Sequence, residues 1–191
     1  MNLQSIGASV RVAIVVGVGA LALAACSSDA DAAAKKAADA LPDLTSQGLT
    51  SFECGTGEAV GGTFQEPKAP YTAECWSGSP DTTFLDIANS SQDAVMLATG
   101  GTDVTAQACQ EDAFGDGGGI ACRAVLVTEG DSTVLVRTVV VLTDPDAVIA
   151  TLPENPTTEQ VNEALAGAPL EVLVGTEPTA SNAPSPNPTE S

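Results

Sequence analysis

The sequence has no histidine among its 191 residues. Histidine is the usual general base for a serine or cysteine nucleophile, and it is a common zinc ligand. Its absence argues against serine and cysteine hydrolases of the usual type and against histidine-containing metal sites. We therefore nominate no catalytic residue and expect no cofactor.

Basic residues are also scarce, since six Lys and Arg stand against 25 Asp and Glu, for a formal net charge of −19. A field of this sign repels nucleic-acid phosphates and anionic lipid headgroups. Nucleic acid is therefore excluded as a partner. Any membrane attachment must arise from something other than electrostatics, and the acidity itself is typical of a soluble extracytoplasmic surface.

A hydrophobic run long enough to span a membrane is missing as well. The run near the amino terminus, Val12–Ala25, has 14 residues, whereas a membrane-spanning helix needs about 20. Arg11 precedes this run and small residues end it, which is the pattern of a secretory signal peptide. We predict a signal peptide over residues 1–25.

The run ends in Leu23, Ala24, Ala25 and Cys26. This motif resembles the lipobox of bacterial lipoproteins, in which an aliphatic residue and two small residues precede a cysteine. The resemblance covers only the first 26 residues. It implies that Cys26 receives a diacylglyceryl group, with palmitate among its acyl chains, and becomes the first residue after cleavage. Two acyl chains anchor a protein stably, so we expect a lipid anchor at the extracytoplasmic face of the cell membrane.

Four cysteines remain after Cys26: Cys54, Cys75, Cys109 and Cys122. An exported protein can form disulfides, and four cysteines allow three pairings. We favour the two sequence-local pairs, Cys54–Cys75 and Cys109–Cys122. The alternative of a metal site or redox pair is poorly supported, because there is no C-x-x-C spacing and no histidine.

Aromatic residues are few, with one Trp, one Tyr and four Phe. The core must rest mainly on aliphatic side chains, each of which buries less area than an aromatic ring. Cross-links would help such a core. Trp76 directly follows Cys75, and we expect it to pack in the core against a disulfide rather than to serve as a ligand platform.

The composition divides the mature chain into three regions. Residues 26–50 form a lipidated, Ala-rich tether, residues 51–175 form the folded domain, and residues 176–191 form a Pro/Thr/Ser tail. The tail has no large apolar residue, which predicts disorder. Within the tether, Asp29–Leu41 favours a helix. Because its apolar face is mostly alanine, we expect it to bury little and to act as a spacer, with a docked end at Leu41 and Leu44.

The clearest structural signal is a β-hairpin. Ile120–Thr128 and Thr133–Thr143 are rich in β-branched residues, and a turn-like segment separates them. Both faces of the second arm are largely apolar, which predicts a central strand packed on each side. The remaining strands are expected at Tyr71–Trp76, Thr82–Ala88 and Leu170–Val174, and helices at Ala147–Leu152 and from Thr157 to Ala166. A further segment is expected either as a short helix capped near Ser90 and running through Ala98 or as a strand at Ala94–Thr99. Val104–Cys109 is expected to form another short element of either type. This order predicts an α+β fold: an antiparallel sheet with a central β-hairpin, flanking helices and two disulfides.

One acidic, glycine-rich segment is a weak candidate for a cation site, through Glu111, Asp112 and Asp116. Calcium takes several oxygen ligands at once. The spacing of a calcium-binding loop is not met, however, and the segment also fits a plain loop closed by Cys109–Cys122. We therefore assign no metal ligand.

The sequence thus predicts a membrane-anchored extracytoplasmic lipoprotein whose domain binds or scaffolds an unknown ligand or protein of the cell envelope. Two alternatives are a carboxylate-based envelope hydrolase, which needs only two well-placed acids, and a calcium-dependent binding module. An enzyme is the less favoured reading.

Overall fold

The computed structural model describes residues 30–61, 64–115 and 118–179. The predicted signal peptide, the lipobox residues Leu23, Ala24, Ala25 and Cys26, the loop residue Asp116 and the end of the tail lie outside the described residues. The predictions made for them stay predictions.

The fold is α+β, as expected, and is built on a seven-stranded antiparallel sheet. The strands run in the order β1-β2-β7-β6-β5-β3, and β4 pairs with β5. They comprise β1 Leu49–Phe52, β2 Ala73–Gly78, β3 Thr102–Asp103, β4 Ala113–Gly115, β5 Gly118–Glu129, β6 Ser132–Leu142 and β7 Leu170–Pro178. The sheet therefore has two different edges, one at β1 and one at β3 and β4.

The predicted hairpin is confirmed as β5 and β6, which pair from Glu129↔Ser132 to Ile120↔Val141. β6 lies between β5 and β7, as a central strand should. Its alternate residues, beginning at Val134, are buried, while the residues between them are only half-buried. Packing on both sides of this strand is therefore incomplete: one face carries the core, and the other is covered only in part.

A long helix, α2 (Phe84–Thr99), replaces two shorter predictions. The strand predicted at Thr82–Ala88 is wrong, and the helical alternative for Ser90–Ala98 is correct. Thr83 accepts a hydrogen bond from the backbone N–H of Asp86, whose carboxylate accepts one from the Thr83 N–H. This reciprocal capping box starts the helix well before Ser90.

The Ala-rich helix, α1 (residues 30–38), packs into the core instead of standing apart from it. Ala33, Ala34 and Ala37 are each 0% exposed. Lys36 donates a hydrogen bond to the carboxylate of Glu129, 2.9 Å away. The expectation that this face buries little is wrong. Because alanine side chains are small, the helix can lie close to the core, and the alanines on that face then lose all of their exposed surface.

The end of the predicted tether also belongs to the fold. Leu44 is fully buried in a short 3₁₀ turn, Leu44–Gln47, and Leu41 packs against the core, as predicted. The carboxyl-terminal boundary moves as well, because β7 continues through Pro178. Thr176, assigned to the tail, pairs with Val136 and is buried.

Three shorter helices complete the domain: α3 Thr105–Ala108, α4 Pro145–Ala150 and α5 Thr158–Leu165. The last two confirm predicted helices. Asp144 caps α4, and a capping box of Thr157 and Gln160 starts α5. Leu165 is buried in the core, with Val161 and Ala164 packed against it.

Both predicted disulfides are present, with Cα–Cα distances of 5.0 Å for Cys54–Cys75 and 5.6 Å for Cys109–Cys122. Disulfides persist in oxidising compartments, so the domain belongs to an extracytoplasmic environment. Within the ranges that the structure describes, none of the helices has the length and hydrophobicity needed to cross a membrane.

Candidate functional site

The most distinctive surface feature is a notch in the β1 edge of the sheet. β1 pairs with β2 only from Leu49↔Gly78 to Phe52↔Cys75. The first two residues of β2, Ala73 and Glu74, have strand partners on β7 alone. Because β1 turns away after Phe52, no strand of the described chain pairs with these two residues on the β1 side of β2.

The Cys54–Cys75 disulfide fixes one wall of the notch. After Phe52 the chain enters a short 3₁₀ turn, Cys54–Thr56. The disulfide joins the first residue of this turn to β2. The turn therefore stays close to the notch without continuing the strand.

A second restraint comes from Glu171 of β7, which is only 7% exposed. Its carboxylate accepts three hydrogen bonds of 2.9 Å from successive backbone N–H groups, those of Glu58, Ala59 and Val60. A Cβ at the preceding Gly57 would lie 2.7 Å from the Glu171 Oε2. The loop thus wraps closely around one carboxylate, and we call residues 57–61 with Glu171 the carboxylate clasp.

Glu171→Gln is expected to lower the free energy of unfolding by about 1.5–3 kcal/mol, the usual contribution of hydrogen bonds to a charged group. The substituted amide directs its own N–H groups at the N–H donors of the clasp. Chemical denaturation would measure the loss, with Glu163→Gln on the exposed side of α5 as the matched control. Equal stability of the two variants would show that the clasp contributes nothing.

The segment 64–72 forms the opposite wall of the notch. It is joined to β7 at one end, because Thr176 donates its backbone N–H to the Thr72 carbonyl at 2.8 Å. In return, the Thr72 N–H donates to the Thr176 hydroxyl, also at 2.8 Å. These two bonds set the direction in which the chain enters β2.

Between the two walls lies a cleft of about 750 Å³, which we call the β1–β2 cleft. Four of the six aromatic residues of the sequence line it, together with three glutamates: Phe52, Phe64, Tyr71, Trp76, Glu53, Glu66 and Glu74. Within the described part of the chain, no Lys or Arg lines it. The cleft therefore combines aromatic surface with carboxylates, which suits binding of a ligand with apolar and polar parts.

The electrostatics of the cleft centre on Glu74. Burial raises the pKa of Glu74, and the nearby Asp43 carboxylate raises it further. None of Glu53, Glu66 and Glu74 takes part in an ion pair within the described residues. Within the described residues, no ion pair therefore balances the negative charge of these three glutamates.

Trp76 is buried in the core, as predicted, with 8% of its surface exposed. Trp76 is also one of the residues that line the cleft, a position that the sequence did not reveal. The indole N–H is buried and has no hydrogen-bond partner in the described part of the chain. Trp76 therefore connects the core to the cleft.

A second cleft, of about 620 Å³, adjoins the first. It shares Phe64, Glu66 and Tyr71 with the β1–β2 cleft and extends over β7 to Leu173 and Glu177. The segment 64–72 therefore borders both cavities.

The acidic loop considered as a cation site has another role. Asp112 forms a two-pronged ion pair with Arg123, at 2.7 and 2.8 Å, and Arg123 also donates to the Asn89 side chain at 2.7 Å. Hydrogen bonds from Arg123 lower the pKa of Asp112. Glu111 is exposed. Asp112 is therefore committed to Arg123, and the described residues contain no cluster of three potential metal ligands.

Comparison with known proteins adds no assignment: no family model matches the chain, and no curated protein or solved structure shows significant similarity to it.

Proposed function

We propose that this chain is a lipoprotein, anchored through Cys26 at the extracytoplasmic face of the cell membrane, and that its domain binds a cell-envelope ligand in the β1–β2 cleft. The observation that carries the anchor is the lipobox-like Leu23-Ala24-Ala25-Cys26. The two disulfides use all four later cysteines, so none of these four is available to form a disulfide with Cys26.

The docked position of α1 supports a short connection to the membrane. Only three residues separate Cys26 from residue 30, where the described part of α1 begins. Four extended residues span at most about 14 Å. With α1 packed into the core, a lipid on Cys26 would hold the domain beside the membrane surface, and residues 26–50 would not act as a long spacer.

Cys26→Ser is expected to abolish both lipid attachment and cleavage, because the thiol is the atom acylated in this type of processing. Metabolic labelling with an alkyne analogue of palmitate should label the parent protein and not the variant. The variant should also migrate as a precursor that keeps residues 1–25.

Membrane fractionation alone would not decide, since an uncleaved Val12–Ala25 run would also retain the precursor at the membrane. Ser28→Ala is the matched control, because it changes a neighbouring residue and keeps Cys26. A Cys26→Ser protein that is still labelled, or still processed to the size of the parent, would rule out the anchor.

A further inference from the structure

We infer that the β1–β2 cleft binds an organic cation, an ammonium or guanidinium group carried on an apolar body, between its aromatic walls and the carboxylates of Glu53, Glu66 and Glu74. This inference specifies the ligand class of the proposed binding cleft and therefore rests on that proposal. It does not depend on the lipid anchor.

The aromatic lining is the first argument. The chain has only six aromatic residues, and four of them line this one cleft. A cation over an aromatic face is attracted by the ring quadrupole, and the attraction grows as water is excluded. The same rings bury the apolar part of a ligand, so they favour an organic cation over a strongly hydrated one.

The charge balance is the second argument. Of the five basic residues after residue 26, Lys35, Lys36, Arg123 and Arg137 each pair with a carboxylate elsewhere. The fifth, Lys68, lines the neighbouring cleft and not this one. Among the described residues, no Lys or Arg lines the β1–β2 cleft or pairs with its glutamates. An external cation would therefore meet carboxylates that hold no ion pair within the described chain.

The spacing of the acids argues against a bare metal ion. Although three glutamates line the cleft, the described residues include no group of three carboxylates, cysteines or histidines arranged to hold one metal ion. Calcium needs several oxygens at about 2.3–2.6 Å from one point. Dispersed carboxylates suit a larger cation, which spreads its charge over several donor groups or along an extended ligand.

Such a cation could belong to a basic peptide or to a free amine, and the open sheet edge would distinguish the two. The Thr72 carbonyl accepts a hydrogen bond from β7. Because the backbone groups of successive strand residues point to opposite sides, the N–H and C=O of Ala73 point away from β7 and toward the notch. An extended basic peptide would gain main-chain hydrogen bonds there. A free amine would bind through the aromatic and acidic side chains alone.

Trp76 provides a direct test, because it is the only tryptophan in the sequence and it lines the cleft. The full mature protein in a neutral maltoside detergent would be titrated while its tryptophan emission is recorded. One arm uses choline against its uncharged isostere 3,3-dimethylbutanol. The other uses blocked Ala-Lys-Ala against blocked Ala-norleucine-Ala.

We expect saturable binding in at least one arm, with the cation at least about tenfold tighter than its neutral isostere. Tighter binding of the peptide would assign the source to a basic protein segment, and tighter binding of choline would assign it to a free amine. Glu74→Gln should weaken cation binding several-fold, while Glu163→Gln on α5 should leave it unchanged. Thermal unfolding of each variant would verify that the fold is intact.

Equal binding of the cation and its isostere would overturn the cationic class but keep the cleft as a binding site. An unchanged Trp76 emission with all four probes would also overturn it. Neither result would affect the lipid on Cys26, so the two proposals fail independently.

Discussion

Phe84→Ala is expected to lower the free energy of unfolding by about 3–5 kcal/mol, the range for truncating a buried phenylalanine. Phe84 is the first residue of α2 and is 1% exposed. Its ring lies 6.4 Å from that of Phe114, between ring centroids. Phe84 is one of five buried residues of α2, so this truncation leaves a cavity at the buried face of the helix. Urea denaturation monitored by circular dichroism would measure the loss.

The matched control is Leu97→Ala, because Leu97 lies on the same helix and is 90% exposed. Its replacement should change stability by less than about 0.5 kcal/mol, as for other surface positions. Comparable effects at Phe84 and Leu97 would show that the face of α2 assigned to the core is wrong.

Replacing Cys54 and Cys75 together by serine is expected to lower the free energy of unfolding by about 3 kcal/mol, since the cross-link restricts the unfolded chain. The two cysteines are 21 residues apart in sequence. The same substitution should also change the emission of Trp76, because the released turn borders the cleft that Trp76 lines.

The second disulfide, Cys109–Cys122, is the matched control, with a sequence separation of 13. Its removal should cost about 3 kcal/mol on the same loop-entropy model and leave Trp76 emission unchanged in the folded state. A Trp76 signal that responds equally to both double variants would contradict the role of Cys54–Cys75 as a wall of the cleft.

The sequence allowed prediction of the parts of the fold that depend on local pattern. The hairpin of β5 and β6 follows from two β-branched runs around a turn, and both disulfides follow from pairing sequence neighbours. The capping of α5 was likewise readable from Thr157 and Gln160. These signals are local in sequence, so the elements could be predicted without knowledge of tertiary contacts.

The incorrect predictions concern segments whose structure is determined by a stronger local signal or by contacts with distant parts of the chain. Thr82–Ala88 contains residues that suit a strand, yet the capping box of Thr83 and Asp86 directs the chain into a helix. The role of α1 depends on close approach of alanines to the core, which helix propensity alone does not indicate. Composition correctly predicted a helix but not its packing.

The β1–β2 cleft was not predicted, because it forms where β1 departs from β2 and where the segment 64–72 folds back toward β7. One signal was present in the sequence: four of six aromatics fall between Phe52 and Trp76. In a chain with so few rings, that concentration indicates a specific surface as well as a core. The clasp around Glu171 had no such signal, since its donors are backbone groups more than 100 residues away in sequence.

The central claim is that this domain is held at the membrane by lipid on Cys26 and cross-linked by its other four cysteines. Mass spectrometry of the protein purified from membranes, before and after reduction, tests both parts at once. We predict an amino-terminal peptide that begins at Cys26 and carries a diacylglyceryl group, together with two disulfides and no free thiol. A membrane-bound protein that retains Met1, or one whose Cys26 is an unmodified thiol, would contradict the account.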